Sequence, residues 1–481
     1  MPAIITDKFR IHNAEQFSEA FSETSGNTMY LGIGRPQAFA TSTRADSRTN
    51  NEGTDTAPVT PSDNINSQFL PYDDMLAAKK ITSTDVTFAI PRRNWTTGTI
   101  YDIYRHDYGD FATGTISAIT ANSGASTLHD SSFYVLTTAR NVYKCLDNNG
   151  NAQSTVEPTG TNVTILETSD GYKWKYMYTL SASQQANFLS TDFMAVETNS
   201  TVSSAAVDGA VNVCKIKSTG TGGANGTHTG IAIRGDGSNG QVSVTVAGGV
   251  VTAVTVTTPG TGYTFGTISN AQIVAAGATS LSGAELDVII EPKGGHGFNA
   301  VEELGGFYVM MNTSLEGTES ANTSDFTVSN DFRKIVLVRD PKSGGSAASA
   351  STLRATRAVN LTGVSGTFSA DEEINQATTG AVGKVVEWDS TNNILYYIQT
   401  RHNDEGVDSN GDLTAFSGTN VISGQTSSAT GTPTTSTSTI NSQSFTSGYS
   451  NPEIDADSGD ILYIENRAPI TRAADQTENI K

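Results

Sequence analysis

Tyr172, Trp174, Tyr176 and Tyr178 alternate with Lys173, Lys175 and Met177. Successive side chains of an extended chain point to opposite faces, so this period of two predicts a half-buried strand. Burial of each ring is worth roughly 2–3 kcal/mol of apolar transfer, enough for this strand to anchor a core. The aromatic ladder reads either as that core element or as a platform for stacking carbohydrate. Shorter apolar runs predict further strands near 30–33, 87–90, 142–146, 307–311 and 334–338. Helical periodicity is sparse. Asn13 with Gln16 resembles a capping box, after which Ala14, Phe17, Ala20 and Phe21 share one helical face. A second short helix is predicted over 71–80, with Pro71 in its first turn and Lys79-Lys80 at its C-terminal end. Ser181 and Gln184 open a third, reaching Phe188.

Two stretches break this rhythm. From 219 to 292 the chain is rich in Gly, Thr and Val and carries little charge. Within it, 241–246 and 250–256 are joined through Ala247-Gly248-Gly249, which predicts a hairpin. From 356 to 439 there is an internal repeat: Phe368-Ser369, Ile374, Thr378, Ala381 and Gly383 recur as Phe416-Ser417, Ile422, Thr426, Ala429 and Gly431 at one constant offset. Two copies of a strand–turn–strand unit can bury each other's apolar faces where one alone is marginal. This stretch therefore reads as a small inserted β-barrel or sandwich, flanked by low-complexity linkers at 343–351 and 431–447. Near the C-terminus, 460–465 reads as a short strand stopped by Asn466 and Pro469. Asn466-Arg467 and 472–478 then form a charged tail whose interleaved Ile461, Tyr463 and Ile470 suggest that it docks.

Composition supports a mainly β fold. The 46 glycines and the abundant Thr and Val favour short strands and tight turns, and only 16% of residues are charged, too few for long exposed helices. At 481 residues, two or three domains are expected. Lys and Arg total 29 against 49 Asp and Glu, a formal charge of −20 with no basic cluster, so nucleic acid is an improbable partner. Cys145 and Cys214 fit no metal spacing; they allow one disulfide, but two thiols in so long a chain read better as a protein made in a reducing cytosol. No apolar run reaches membrane-spanning length, and Met1-Pro2-Ala3-Ile4 lacks the order of a signal peptide, so neither export nor membrane insertion is expected.

Catalytic patterns are absent. His12, His106, His129, His228, His296 and His402 fall singly, and no nucleophile elbow or phosphate-cradling loop occurs. Asp408-x-Asn410-x-Asp412 starts like a calcium loop, but Leu413 replaces the required Gly and Thr419 the bidentate Glu, which reads as an acidic turn. Arg234-Gly235-Asp236 sits in a Gly-rich turn where such triplets arise from composition. No catalytic residue, metal ligand or cofactor site is assigned.

Five separated segments together carry a resemblance. Ile90-Pro-Arg-Arg-Asn-Trp95, Val142-Tyr-Lys-Cys-Leu-Asp147, Asp170-Gly-Tyr-Lys-Trp-Lys-Tyr176, Phe332-Arg-Lys-Ile-Val-Leu-Val338 and Tyr463-Ile-Glu-Asn-Arg467 with Asp475-Gln-Thr-Glu478 are similar, in this order, to elements of the gene-eight baseplate wedge family of T-even-like contractile-tailed phages. The resemblance implies a structural virion protein of the tail baseplate, assembled in the host cytoplasm: a homodimer with a layered β-sandwich core, bound to other wedge proteins and to neither nucleic acid nor membrane. The expected layout is a core over 1–218, 293–342 and 448–481, interrupted by β modules at 219–292 and 356–439 with no counterpart in the short T-even form. Arg92, Arg93, Trp95, Asn466, Arg467, Arg472, Asp475, Gln476 and Glu478 are the candidates for contacts between subunits. For the arginines an intrachain pair that pins the tail to its own sandwich stands as the other reading. The rival function is a receptor- or carbohydrate-binding tail protein with hydrolase activity, drawn from the β-rich inserts and the aromatic strand.

Overall fold

In a computed structural model, residues 4–23, 27–43, 49–63, 70–109, 121–318, 326–327, 330–401, 406–470 and 477–480 are described. The chain is mainly β and divides into two compact units that alternate along the sequence: residues 1–16 with 87–310, and residues 17–86 with 311–481.

The first unit is organised by the aromatic strand. Tyr172–Thr179 lies between Leu166–Glu167 and Asn141–Asn148 in an antiparallel sheet that ends at Tyr134–Leu136. Tyr172, Trp174 and Tyr178 are buried, with Trp174 stacked on Tyr172 at 5.4 Å. The strand is covered on both faces, because Lys175 and Met177 are buried as well; expectation had left that second face exposed. A second sheet joins Phe193–Ala195, Val86–Pro91 and Tyr308–Met311. The helix Ala182–Phe188 starts where the capping box places it: Ser181 Oγ accepts from Gln184 N–H and Gln184 Oε1 from Ser181 N–H. The N-terminal helix instead spans Asp7–Ala20. Thr6 Oγ1 accepts from Phe9 N–H and Asp7 sits in the first turn, so Asn13 is interior rather than a cap.

Residues 211–290 build an apolar cluster of their own within this unit. Gly226–Ala232, Gln241–Ala247 and Val250–Thr258 form one sheet, and Val213–Thr221 pairs with Ser282–Ile289. Gly248 and Gly249 both have positive φ, 63° and 80°, the geometry a two-residue hairpin turn requires. Cys145 and Cys214 are free and buried, and burial pushes both thiols up, that of Cys214 to about 12.

The second unit contains a five-stranded antiparallel sheet in the order Thr352–Arg354, Met75–Ile81, Met29–Gly34, Phe332–Arg339, Asp460–Ile470. Two expectations are corrected here. The helix predicted over 71–80 is confined to Leu70–Asp73, and Met75–Ile81 is a strand. Met75, Leu76, Ala77 and Ala78 are buried in succession, and the unpaired edge of Met29–Gly34 takes them into its ladder, overriding local helix propensity. The strand predicted to stop at Asn466 continues through Pro469 to Ile470. It is the last strand of its sheet, where a residue without an N–H leaves one ladder bond unmade at little cost.

The internal repeat is a structural one. Ile374 pairs with Gly383 in the hairpin Glu373–Gln376/Ala381–Asp389, and the equivalent Ile422 pairs with the equivalent Gly431. The two copies meet antiparallel at Asn375 and Ser423, themselves equivalent positions, which sets a local pseudo-two-fold between them. Phe368, Ile374 and Ala381 share one core with Phe416, Ile422 and Ala429. The flanking linkers are more ordered than their composition predicts. Lys342–Ser343 pairs with Ser346–Ala347, Ser438–Ile440 pairs with Gln443–Phe445, and Phe445 is fully buried. Backbone pairing needs no large side chains, so small-residue stretches can hide strands.

The shared core makes a prediction. Ile374→Ala and Ile422→Ala should each lower stability by about 2–5 kcal/mol, the range for emptying a fully buried isoleucine site. Urea titration of the full chain should place both losses in the same transition; losses in separate transitions would show that the two copies do not share a core.

Candidate subunit interface

The Ile90–Trp95 segment ends a strand and runs alongside Tyr134–Leu136. Leu136 N–H donates to Arg93 O at 2.7 Å and Trp95 N–H to Leu136 O at 2.9 Å. Trp95 Nε1 donates to Ser154 Oγ at 3.1 Å, and Ser154 Oγ donates on to Asp170 at 3.3 Å. Asp170 also accepts from Thr155 N–H at 2.8 Å and Val156 N–H at 3.0 Å. Burial alone would raise this carboxyl. The hydrogen bonds from Thr168, Thr155 and Val156 outweigh it and hold the group below the usual carboxylate range. The Val142–Asp147 segment lies in the strand paired with Tyr172–Thr179. Three of the five segments behind the family resemblance are thus bonded into one patch of the first unit.

Each arginine of the pair has partners within its own unit. Arg92 donates from Nε to Asn94 Oδ1 at 2.9 Å and from a terminal nitrogen to Ser190 O at 2.7 Å. Arg93 reaches His129 O and Asp130 O at 3.4 and 3.1 Å and lies over the Tyr134 ring at 5.4 Å. Its buried Nε has no hydrogen-bond partner among the described residues. Both side chains are half-buried, so they stiffen this corner while keeping part of their surface open.

The remaining two segments meet in the second unit. Phe332–Arg339 pairs with Asp460–Ile470, setting Leu337 against Tyr463 and Lys334 against Asn466. Arg333 binds Asp55 in bidentate fashion, at 3.0 Å for both contacts, and that hydrogen-bonded guanidinium lowers the Asp55 carboxyl. Asn466 donates to Val59 O at 3.0 Å. Arg467 pairs with Glu465 two residues earlier, at 2.8 and 3.1 Å. Arg472, Asp475 and Gln476 lie outside the described residues, and Glu478 is placed only as backbone, in the strand Thr477–Ile480 paired with Thr313–Thr318. Leu462 and Tyr463 stand 42% and 49% exposed on the outermost strand.

Sequence reasoning missed a buried charged cluster in the first unit: Lys144, Lys175, Glu291, His296 and Glu303. Lys144 and Lys175 were legible only as polar positions of strands. Glu291, His296 and Glu303 flank a Gly-rich turn with no spacing that marks them.

The acidic turn at Asp408 caps its own backbone: the carboxylate accepts from Asn410 and Asp412 N–H at 2.8 and 3.1 Å. Asp236 likewise accepts from Thr264 and Phe265, and the Thr264 hydrogen bonds lower it to about 2. No helix among the described residues is long and apolar enough to cross a membrane.

Arg93→Ala should cost about 1–3 kcal/mol, because it removes two carbonyl contacts and a cation over Tyr134. Arg467→Ala should change stability by less than about 1 kcal/mol, as its pair is local and partly exposed. Chemical denaturation separates the two, and equal losses would contradict these assignments. Asp170→Asn should destabilise at neutral pH. The folded carboxyl is held below its unfolded value, so its contribution is complete above the unfolded value of about 4 and disappears as pH falls through the folded one. Wild type and variant should therefore converge in stability at acid pH.

The comparison with curated proteins finds no match. Residues 3–156 match the family model described as Bacteriophage T4, Gp8, a segment that includes Arg92, Arg93, Trp95 and Val142–Asp147. Over that first third the chain is similar to the gene-eight baseplate wedge family, a likeness that supports a structural role in a phage tail baseplate.

Proposed function

We propose that the chain acts as a homodimer linking neighbouring proteins of the baseplate wedge, that it is assembled in the host cytoplasm, and that it carries no catalysis. The observation behind this reading is the strand Asp460–Ile470: eleven residues long, last in its sheet, with Leu462 and Tyr463 exposed. A long edge strand with unpaired backbone groups and apolar side chains is a template for pairing with another chain. A second copy offers the same strand, and antiparallel pairing of identical strands closes a two-fold dimer. Arg92, Arg93, Trp95 and the tail residues Asn466, Arg467, Arg472, Asp475, Gln476 and Glu478 then serve contacts to other wedge proteins. On this reading 219–292 and 356–439 are modules inserted into a discontinuous core.

Sedimentation equilibrium of the full chain should return the mass of two subunits. Leu462→Lys places a charge on the edge and should yield a folded monomer with unchanged circular dichroism. A trimer, or a Leu462→Lys variant that stays dimeric, would sink this reading.

A further inference from the structure

Beside the charged cluster of the first unit lies a cleft of about 440 Å³, within the range of small-molecule sites. Short apolar side chains from 205–210 and residues 258–261 form part of its wall. Its polar lining comes from Lys175, Asn212, Asn239, Thr261, Glu291 and His296. Lys175, Glu291 and His296 are each more than nine-tenths buried, whereas Asn239 and Thr261 stand exposed at the rim.

The floor is held from behind. Lys144 pairs with Glu303, and Glu303 also accepts from Gly297 N–H at 2.8 and 3.0 Å. Glu291 accepts from His296 N–H at 2.9 Å and from the Asn212 amide. Lys175 donates to Val163 O and keeps further N–H donors. The His296 ring lies 3.8 Å from Glu291 and 3.9 Å from Glu303, too far for a hydrogen bond. Its Nδ1 is buried with no hydrogen-bond partner among the described residues. Burial, reinforced by the ammonium groups of Lys144 and Lys175, holds the imidazole well below its usual value and therefore neutral.

This lining selects by charge balance. A monoanion entering the cleft meets Glu291, and a monocation meets Lys175. A hydroxyl group suits either, accepting from an ammonium or donating to a carboxylate. A neutral imidazole adds one donor and one acceptor, and the two asparagine amides add both. The short apolar wall suits the C–H face of a ring. We infer that the cleft binds a neutral saccharide of one or two rings, a ligand site independent of the structural role above.

The probes are glucose, galactose, mannose, lactose and maltose with their methyl glycosides, against glucosamine and sialic acid as charged controls. Saturation-transfer NMR on the full chain should detect at least one neutral sugar. Methyl glycosides binding as well as free sugars would assign the terminus of a surface polysaccharide, and binding of free sugars alone a soluble ligand; both support the inference. Asn239→Gly with Thr261→Val removes polar groups of the exposed rim while keeping the left-handed backbone at 239 (φ 64°), and should weaken binding at least about tenfold, since each lost polar partner leaves a sugar hydroxyl unmatched. Glu291→Gln should do the same from the floor. The inference fails if no neutral sugar binds at tens of millimolar, if only a charged control binds, or if the rim variant binds as well as wild type.

Discussion

The second unit depends on one piece of backbone pairing. Met29–Gly34 sits between Met75–Ile81 and Phe332–Arg339, strands that the chain brings together from far apart in sequence. Close approach is built in. A Cβ on Gly34 would sit 2.6 Å from Asp74 O, and one on Gly32 would meet the Met75 side chain at 2.9 Å. This register also seats Asp74, fully buried, against Lys334 at 2.7 Å. A buried ion pair adds little net stability, but a partner left alone is strongly unfavourable. A slip of one residue would turn Lys334 to the other face and strand Asp74, so the pair acts mainly to fix the register. The outer strand Asp460–Ile470 inherits that register through Phe332–Arg339, which sets Tyr463 opposite Leu337 and leaves Leu462 as the extra residue at a register shift.

The five segments that carry the family resemblance collect into two patches, one in each unit. In the first, Trp95, Ser154 and Asp170 form a hydrogen-bonded chain between loops and strands. In the second, Arg333 and Lys334 bind Asp55 and Asp74 while their strand pairs with the C-terminal edge strand. These residues hold the scaffold together. Motif similarity therefore reports how the framework is braced. Arg93 belongs to that brace: its bonds to the carbonyls of His129 and Asp130 fix its direction, and its half-buried side chain retains surface.

Local signals were legible in the sequence wherever local physics decides the structure. The period of two at 172–178, the Ser181 capping box, the Gly248-Gly249 turn and the repeat ending at Gly431 each encode geometry within a few residues. What stayed hidden is set by partners distant along the chain. Met75–Ile81 is a strand because Met29–Gly34 offers an edge, and the Ser438–Ile440 hairpin forms through backbone groups that composition does not display. At the candidate interface, the choice of Arg92 and Arg93 came from their type and neighbours. Apart from the Asn94 side chain that Arg92 binds, their partners are main-chain carbonyls and a ring, which carry no signature in sequence.

The charged cluster of the first unit poses a question of economy. Lys144, Glu303 and Glu291 are withdrawn from water, where each charge loses several kcal/mol of hydration before its partner restores any. Well-packed apolar side chains of similar volume would hold the same sheets together without that loss. Stability alone therefore does not account for them. Register does not either, because the neighbouring strands already carry a core of Trp174, Tyr143 and Phe133 that fixes their faces. What the cluster does supply is a rigid polar floor to a cleft, with Glu291 locked by the backbone N–H of 296 and Glu303, behind it, by that of 297. Rigidity of that kind lowers the ordering cost of capturing a polar ligand, which an apolar core cannot do.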